Sequence, residues 1–226
     1  LANDVARLTT PGAALYSDYF YDAGIGSPGW SVWKLDGIPV PLSPTLTLSL
    51  GLNQLAGMDG PGKVFSTPAN PVFNPFGFDP DADPARFREF GRLADTSSID
   101  LSSFKARGGK LMIYNGNSDP LFSSKDIARY YQSLAAANGG NAADFARLFL
   151  VPGMGHCSGG PATDGFDPLT AVQAWVEQGV APDTLLAKAG PFTPWPGRTR
   201  PLCAYPKVAV YKGSGSLEDA ANFSCR

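Results

Sequence analysis

Two short apolar runs, Lys110-Leu111-Met112-Ile113-Tyr114 and Arg147-Leu148-Phe149-Leu150-Val151, stand on either side of a segment with helical spacing. That alternation limits the fold more than anything else in the chain. The first run follows Gly108-Gly109 and the second ends at Pro152-Gly153. Each reads as a short strand buried on both faces. Between them Ile127, Tyr130, Tyr131 and Leu134 recur at helical spacing, Ser123 or Ser124 caps the start, and Asn138-Gly139-Gly140 stops it. After the second run Asp167 caps another helix, with Pro168 at its first position and Gly179 at its end. Leu169, Val172 and Val176 are its expected apolar stripe. Strand, helix, strand, helix is the alternation of a parallel sheet with right-handed crossovers. In an open α/β sheet the chemistry sits in loops beyond the carboxyl ends of the strands.

Residues before about 105 read differently. They are rich in Pro, Gly and aromatics, with weak periodicity. Short helices are expected there at Leu46–Leu55 and Pro84–Leu93. A segment of this kind more often caps another body than builds its own core. Asp79, Asp81 and Asp83 alternate like a calcium-loop fragment, but the Gly and the closing Glu of such a loop are missing, so they read as solvated acids. The 226 residues, 43% hydrophobic and 17% charged, allow one or two soluble globular domains. A net charge of −2 gives no reason to expect nucleic acid or an anionic membrane as partner. No run approaches the roughly 18 apolar residues of a membrane span. Leu1-Ala2-Asn3-Asp4 lacks the basic start and apolar run of a signal peptide, so the expectation is a removed signal or an internal start.

The loops after the two strands hold the unusual residues. Asp119 lies in Asn115-Gly116-Asn117-Ser118-Asp119-Pro120, and His156, the single histidine, in Pro152-Gly153-Met154-Gly155-His156-Cys157. An acid and a histidine past successive strands suit a Ser–Asp–His triad in that chain order. The imidazole takes the serine proton and later returns it; the carboxylate orients the ring and stabilises the imidazolium. Asp119 before Pro120 also reads as an ordinary turn former. No G-x-S-x-G occurs, and Ser158 and Ser214 are the nearest lookalikes. Ser158 is too close behind His156 in the same loop, and Ser214 follows the histidine in the wrong order. There are three cysteines. Cys203 and Cys225 flank a Gly/Ser-containing loop that suits a local disulfide, which leaves Cys157 over.

Gly108-Gly109-Lys110-Leu111, Asn117-Ser118-Asp119-Pro120-Leu121-Phe122-Ser123, Phe149 to Cys157, Trp175 to Pro182, and Arg200 to Pro206 with Phe223-Ser224-Cys225 together resemble the tannase/feruloyl esterase family. The likeness runs from around Thr96 to the C-terminus. The Ser-Asp-Pro-x-Phe-Ser string is most similar to the branch that hydrolyses mono(hydroxyethyl) terephthalate. The resemblance implies an α/β-hydrolase fold with an inserted lid domain, of which only the C-terminal portion is expected in this chain. Residues 1–90 are then the end of the lid and 91–226 the C-terminal half of the core with a disulfide-closed tail. It implies Asp119 as triad acid, His156 as triad base, Phe122 as an aromatic facing substrate, and Cys203 paired with Cys225. Cys157 matches a cysteine that pairs with another just before the nucleophilic serine. That serine would belong to an N-terminal polypeptide outside this chain, linked through Cys157. No metal or cofactor is expected here; calcium would belong to the missing part of the lid. The implied activity is hydrolysis of carboxylic esters of aromatic acids such as ferulate, gallate or terephthalate, in a secreted or periplasmic protein. The aromatics Tyr16, Tyr19, Phe20, Tyr21, Trp30 and Trp33 are candidates for the pocket, with packing as their commoner use. The alternative is a non-catalytic fragment or binding subunit of such a protein.

Overall fold

A computed structural model describes residues 19–34, 38–43, 46–50, 66–72, 74, 85, 88–94 and 96–226. A single 3₁₀ turn, Ala23–Gly26, leads into helix α1 (Pro28–Lys34). Strands β1 (Ile38–Ser43) and β2 (Leu46–Leu50) form an antiparallel hairpin with Ile38 opposite Leu50. The helix expected over Leu46–Leu55 is therefore corrected: its first five residues are strand, and residues 51–55 lie outside the described residues. The physical reason is the period-two alternation Leu46-Thr47-Leu48-Ser49-Leu50, which suits a pleated strand with a partner alongside. Helix α2 (Arg88–Ala94) falls within and just past the expected Pro84–Leu93 segment, and α3 (Ser102–Ala106) follows.

Strand β3 (Leu111–Gly116), helix α4 (Ser124–Ala137), strand β4 (Ala146–Val151) and helix α5 (Pro168–Gln178) reproduce the expected alternation. The two strands are parallel and in register, from Leu111 beside Ala146 to Gly116 beside Val151. Ser123 caps α4 by accepting from Lys125 N–H, and Asp167 caps α5 by accepting from Thr170 N–H. Gly179 closes α5 at φ 73°, a conformation that costs glycine little.

Alternation along the strands divides the core between two faces. Leu148, with Leu111 and Ile113 beside it, packs towards Ala128, Tyr131 and Leu134 of α4. Phe149 and Val151, with Met112, pack on the other face, against Ala171 of α5. Fully burying side chains such as Leu148 and Phe149 contributes about 1.5–3 kcal/mol each. One expectation for α5 is corrected. Leu169 is 73% and Val176 59% exposed, while Trp175 is 3% exposed. The helix turns its Ala171–Trp175 side inward, with Ala171 packed against the cluster that holds Phe149 and Val151. Two cations lie over the indole, Lys110 Nζ at 5.3 Å and Arg147 Cζ at 5.1 Å.

Apart from the parallel β3–β4 ladder, the described strands pair antiparallel. Strands β5 (Thr184–Lys188) and β6 (Thr199–Cys203) pair antiparallel, and Phe149 bridges antiparallel to Ala204 just past β6. Strands β7 (Ala209–Tyr211) and β8 (Phe223–Cys225) close the chain, and a Cys203–Cys225 disulfide ties β6 to β8. Their Cα atoms are 5.5 Å apart, within the ordinary range for a bridge. No helix among the described residues is long and apolar enough to cross a membrane.

Candidate active site

Because β3 and β4 run parallel in register, Gly116 and Val151 end side by side. The two following loops therefore leave the same rim. They are stitched together at once: Asn117 N–H donates to the Val151 carbonyl at 3.0 Å and Ser118 N–H to the Met154 carbonyl at 3.0 Å. Gly116 permits this approach, since a Cβ there would collide with the Met154 carbonyl. In the histidine loop Gly153 takes φ 75°. Cys157 takes φ 66°, a left-handed conformation uncommon outside glycine. The left-handed positions nearest His156 are thus Gly153 and Cys157, and Gly155 donates its N–H to the Gly159 carbonyl. Met154, 1% exposed, anchors the loop in the core.

The result is a short contact between the two singled-out residues. His156 Nδ1 lies 3.1 Å from Asp119 Oδ2. The Asp119 side chain is 3% exposed and the imidazole 31%. Asp119 Oδ1 accepts from the N–H groups of Leu121 (2.8 Å) and Phe122 (3.0 Å). Its Oδ2 also accepts from Asn115 Nδ2 at 3.3 Å. Turn former and histidine partner are thus one carboxylate: one oxygen closes the turn, the other meets the ring. With a proton on Nδ1 the histidine donates to Asp119, and Nε2 is left as the acceptor. That is the tautomer a general base at Nε2 requires.

Aromatic rings border the imidazole. Phe122 meets it edge to face with centroids 5.3 Å apart, and Trp33 does so at 6.3 Å. Tyr19 donates its hydroxyl hydrogen to the Leu121 carbonyl at 3.3 Å, and Phe20 lies under Lys125 Nζ at 5.3 Å. Tyr21 is fully exposed and Trp30 half-buried. Tyr16, Asp79, Asp81 and Asp83 lie outside the described residues. The Cys157 thiol is exposed and forms no disulfide within the chain. Ser158 and Ser214 are both exposed, and among the described residues no serine hydroxyl is hydrogen-bonded to His156. The described residues hold no cluster of three His, Cys, Asp or Glu side chains placed to bind a metal ion.

Sequence reading missed Asn115, Ser118 and Asp22. Asn115 and Ser118 sit inside the quoted loop, where only contact geometry reveals their use. Asp22 Oδ2 accepts from Ser118 Oγ–H at 2.8 Å and from Gly153 N–H at 2.6 Å, across 96 and 131 residues of sequence. No local signal marks such a pairing.

The family described as tannase and feruloyl esterase matches residues 57–226. The chain is similar to the mono(2-hydroxyethyl) terephthalate hydrolase of Piscinibacter sakaiensis, with 41% identity over 96% of this chain and 39% of that protein. It therefore spans about two fifths of that relative's length. Among solved structures it resembles an esterase from Aspergillus oryzae, with TM-score 0.61, 31% identity, and coverage of 70% of this chain and 35% of that one. It also resembles feruloyl esterase B from Aspergillus oryzae, with TM-score 0.64, 26% identity, and coverage of 79% and 38%. Over the superposed part the chain shares their α/β-hydrolase-like fold.

Proposed function

We propose, starting from the fact that the chain belongs to the tannase and feruloyl esterase family, that it supplies the acid and base of a serine-type carboxylic ester hydrolase. The observation that carries this reading is the 3.1 Å contact of His156 Nδ1 with the buried Asp119 carboxylate at the carboxyl rim of parallel strands. The nucleophilic serine is assigned to polypeptide outside this chain. Its hydroxyl attacks the ester carbonyl while His156 Nε2 accepts the proton. The imidazolium, held by Asp119, then protonates the departing alcohol and leaves an acyl-enzyme. Water, deprotonated by the same nitrogen, releases the acid.

The substrate class proposed is esters of aromatic acids such as ferulate, gallate or terephthalate. Two things support it. Phe122 and Trp33 offer ring edges and faces next to the reacting nitrogen. The names of the similar proteins describe hydrolysis of terephthalate and ferulate esters. Residues 1–90 are assigned to the end of a lid over the core, and Cys157 to a disulfide with the segment carrying the serine. An exposed thiol next to the histidine suits that link. Among the described residues β3 is hydrogen-bonded to β4 alone, which leaves an edge for further strands. A location outside the cytoplasm follows from the disulfide chemistry the reading needs.

The test is His156→Ala in the complete protein, assayed on methyl ferulate, methyl gallate and mono(hydroxyethyl) terephthalate. Turnover is abolished on whichever ester the parent hydrolyses, and the Tm is unchanged. Unaltered turnover removes the assignment. Intact mass with and without reductant tests the Cys157 link separately, through loss of a covalently attached companion on reduction.

A further inference from the structure

We propose that Asp22 is a positioning residue for the acid–base pair, holding the Asp119 loop and the His156 loop at a fixed separation. This rests on the reading of Asp119 and His156 as acid and base. Strand register controls the spacing only as far as Gly116 and Val151. Beyond that rim the backbones of the two loops are joined by the bonds from Asn117 and Ser118. The Asp22 carboxylate adds a tie from outside both loops. A single oxygen, Oδ2, accepts Ser118 Oγ–H and Gly153 N–H. Ser118 immediately precedes the acid and is 2% exposed. Gly153, at φ 75°, lies three residues before His156 in the same loop.

The turn that carries Asp22 is itself seated in the notch. Gly24 N–H donates to Ser118 Oγ at 3.0 Å, so that hydroxyl is both donor and acceptor. Gly24 is buried, and a Cβ on it would overlap the Ser118 side chain and the Gly153 carbonyl. The contact therefore tolerates no side chain at that point, and the segment approaches both loops through bare backbone. Two N–H or O–H donors converging on one oxygen are best met by a carboxylate, whose charge strengthens both bonds. Transfer of a proton through His156 depends on sub-ångström placement, so loosening this tie acts on the chemical step more than on substrate capture.

The complete protein is assayed on the ester it hydrolyses, with kcat, KM and Tm measured for Asp22→Ala, Asp22→Asn, Ser118→Ala, the double variant Asp22→Ala/Ser118→Ala, and His156→Ala. Asp22→Ala lowers kcat about tenfold or more with KM within about twofold. Asp22→Asn keeps an acceptor oxygen and restores most of kcat. Ser118→Ala gives a smaller loss, and the double variant is no worse than Asp22→Ala, as expected for groups sharing one interaction. Asp22→Ala at parental kcat with only a lower Tm overturns the proposal, as does Asp22→Asn impaired as fully as Asp22→Ala. If Asp22→Ala does not accumulate, Ser118→Ala decides in its place: reduced kcat at parental Tm supports the tie, and parental kcat overturns it. An inactive His156→Ala beside an unimpaired Asp22→Ala defeats only the tie, whereas an active His156→Ala defeats the acid–base reading beneath it.

Discussion

Residues 96–226 place their site groups by short-range means. An apolar run forms β3, a capped amphipathic segment forms α4, a second run forms β4, and Asp119 and His156 emerge where the paired strands end together. Residues 19–94 place theirs by contact with that block. Among the described residues there are the Ala23–Gly26 3₁₀ turn, the short helices α1 and α2 and the β1–β2 hairpin, and Asp22, Gly24 and Trp33 reach the two loops and the imidazole. The difference separates two kinds of information. Periodicity and caps determine where a loop must lie. Matching of single donors and acceptors determines what approaches that loop from a distant part of the chain.

The largest expected effect tests the first kind. Asp119→Asn keeps the shape of the turn but supplies a different hydrogen-bonding group to His156 Nδ1, so the ring loses the carboxylate that sets its tautomer. In the complete protein kcat falls on the order of 10³–10⁴-fold with little change in Tm. A fall of only a few-fold would mean that His156 is oriented by something other than the strand-end loop. Phe149→Ala comes next, measured by urea unfolding. Phe149 is fully buried in the cluster shared by β4, β5 and β6, and its truncation costs about 3–5 kcal/mol. A loss below about 1 kcal/mol would place the stability of the block outside its apolar alternation.

Trp33→Ala tests the second region. The ring meets His156 edge to face, and such a contact contributes about 0.5–1.5 kcal/mol beyond burial. Removing it raises KM by roughly two- to tenfold while kcat changes less, read from Michaelis kinetics on an aromatic ester. An equal KM effect on an aliphatic ester would make Trp33 a packing residue rather than a wall of an aromatic pocket.

The same division explains what was legible in the sequence. The strands Leu111–Gly116 and Ala146–Val151 lie within a residue or two of the apolar runs; β4 is buried at all but Leu150, as an apolar run suggests, whereas β3 is mostly half-buried with Tyr114 45% exposed. Ser123, Asp167 and Gly179 announce helix ends through their own hydrogen bonds and φ. Asp119 and His156 were visible as polar residues past strand ends, and their meeting at 3.1 Å follows from parallel register. β5 and β6 were not read. Thr184–Lys188 alternates only Leu185 and Ala187 inward, and β6 carries Arg200 and Pro201, so neither segment is apolar enough to stand out alone. On α5 the buried side chain is Trp175, with Lys110 and Arg147 over its ring, while Leu169 and Val176 stay exposed, and helical spacing alone does not say which of two apolar faces meets the core. Asp22 was invisible because its partners lie 96 and 131 residues away.

The smallest expected effect concerns charge on the surface of the block. Lys105 Nζ lies 2.9 Å from Asp144 Oδ2, with both side chains more than a third exposed. The Lys105 hydrogen bond is the main cause holding the Asp144 carboxyl below its ordinary value of 3.8. A carboxyl whose folded-state value is depressed adds stability above its unfolded value and loses it as the pH falls through the folded one. Solvent screening limits an exposed pair to a few tenths of a kcal/mol. Asp144→Asn therefore lowers the urea midpoint slightly at neutral pH, and its difference from the parent closes only below the ordinary carboxyl value of 3.8. A loss rivalling Phe149→Ala, or one that widened as the pH fell, would mean that the block is held by its charges. The contrast with residues 19–94 would then lose its physical cause, since both regions would depend on individual polar contacts.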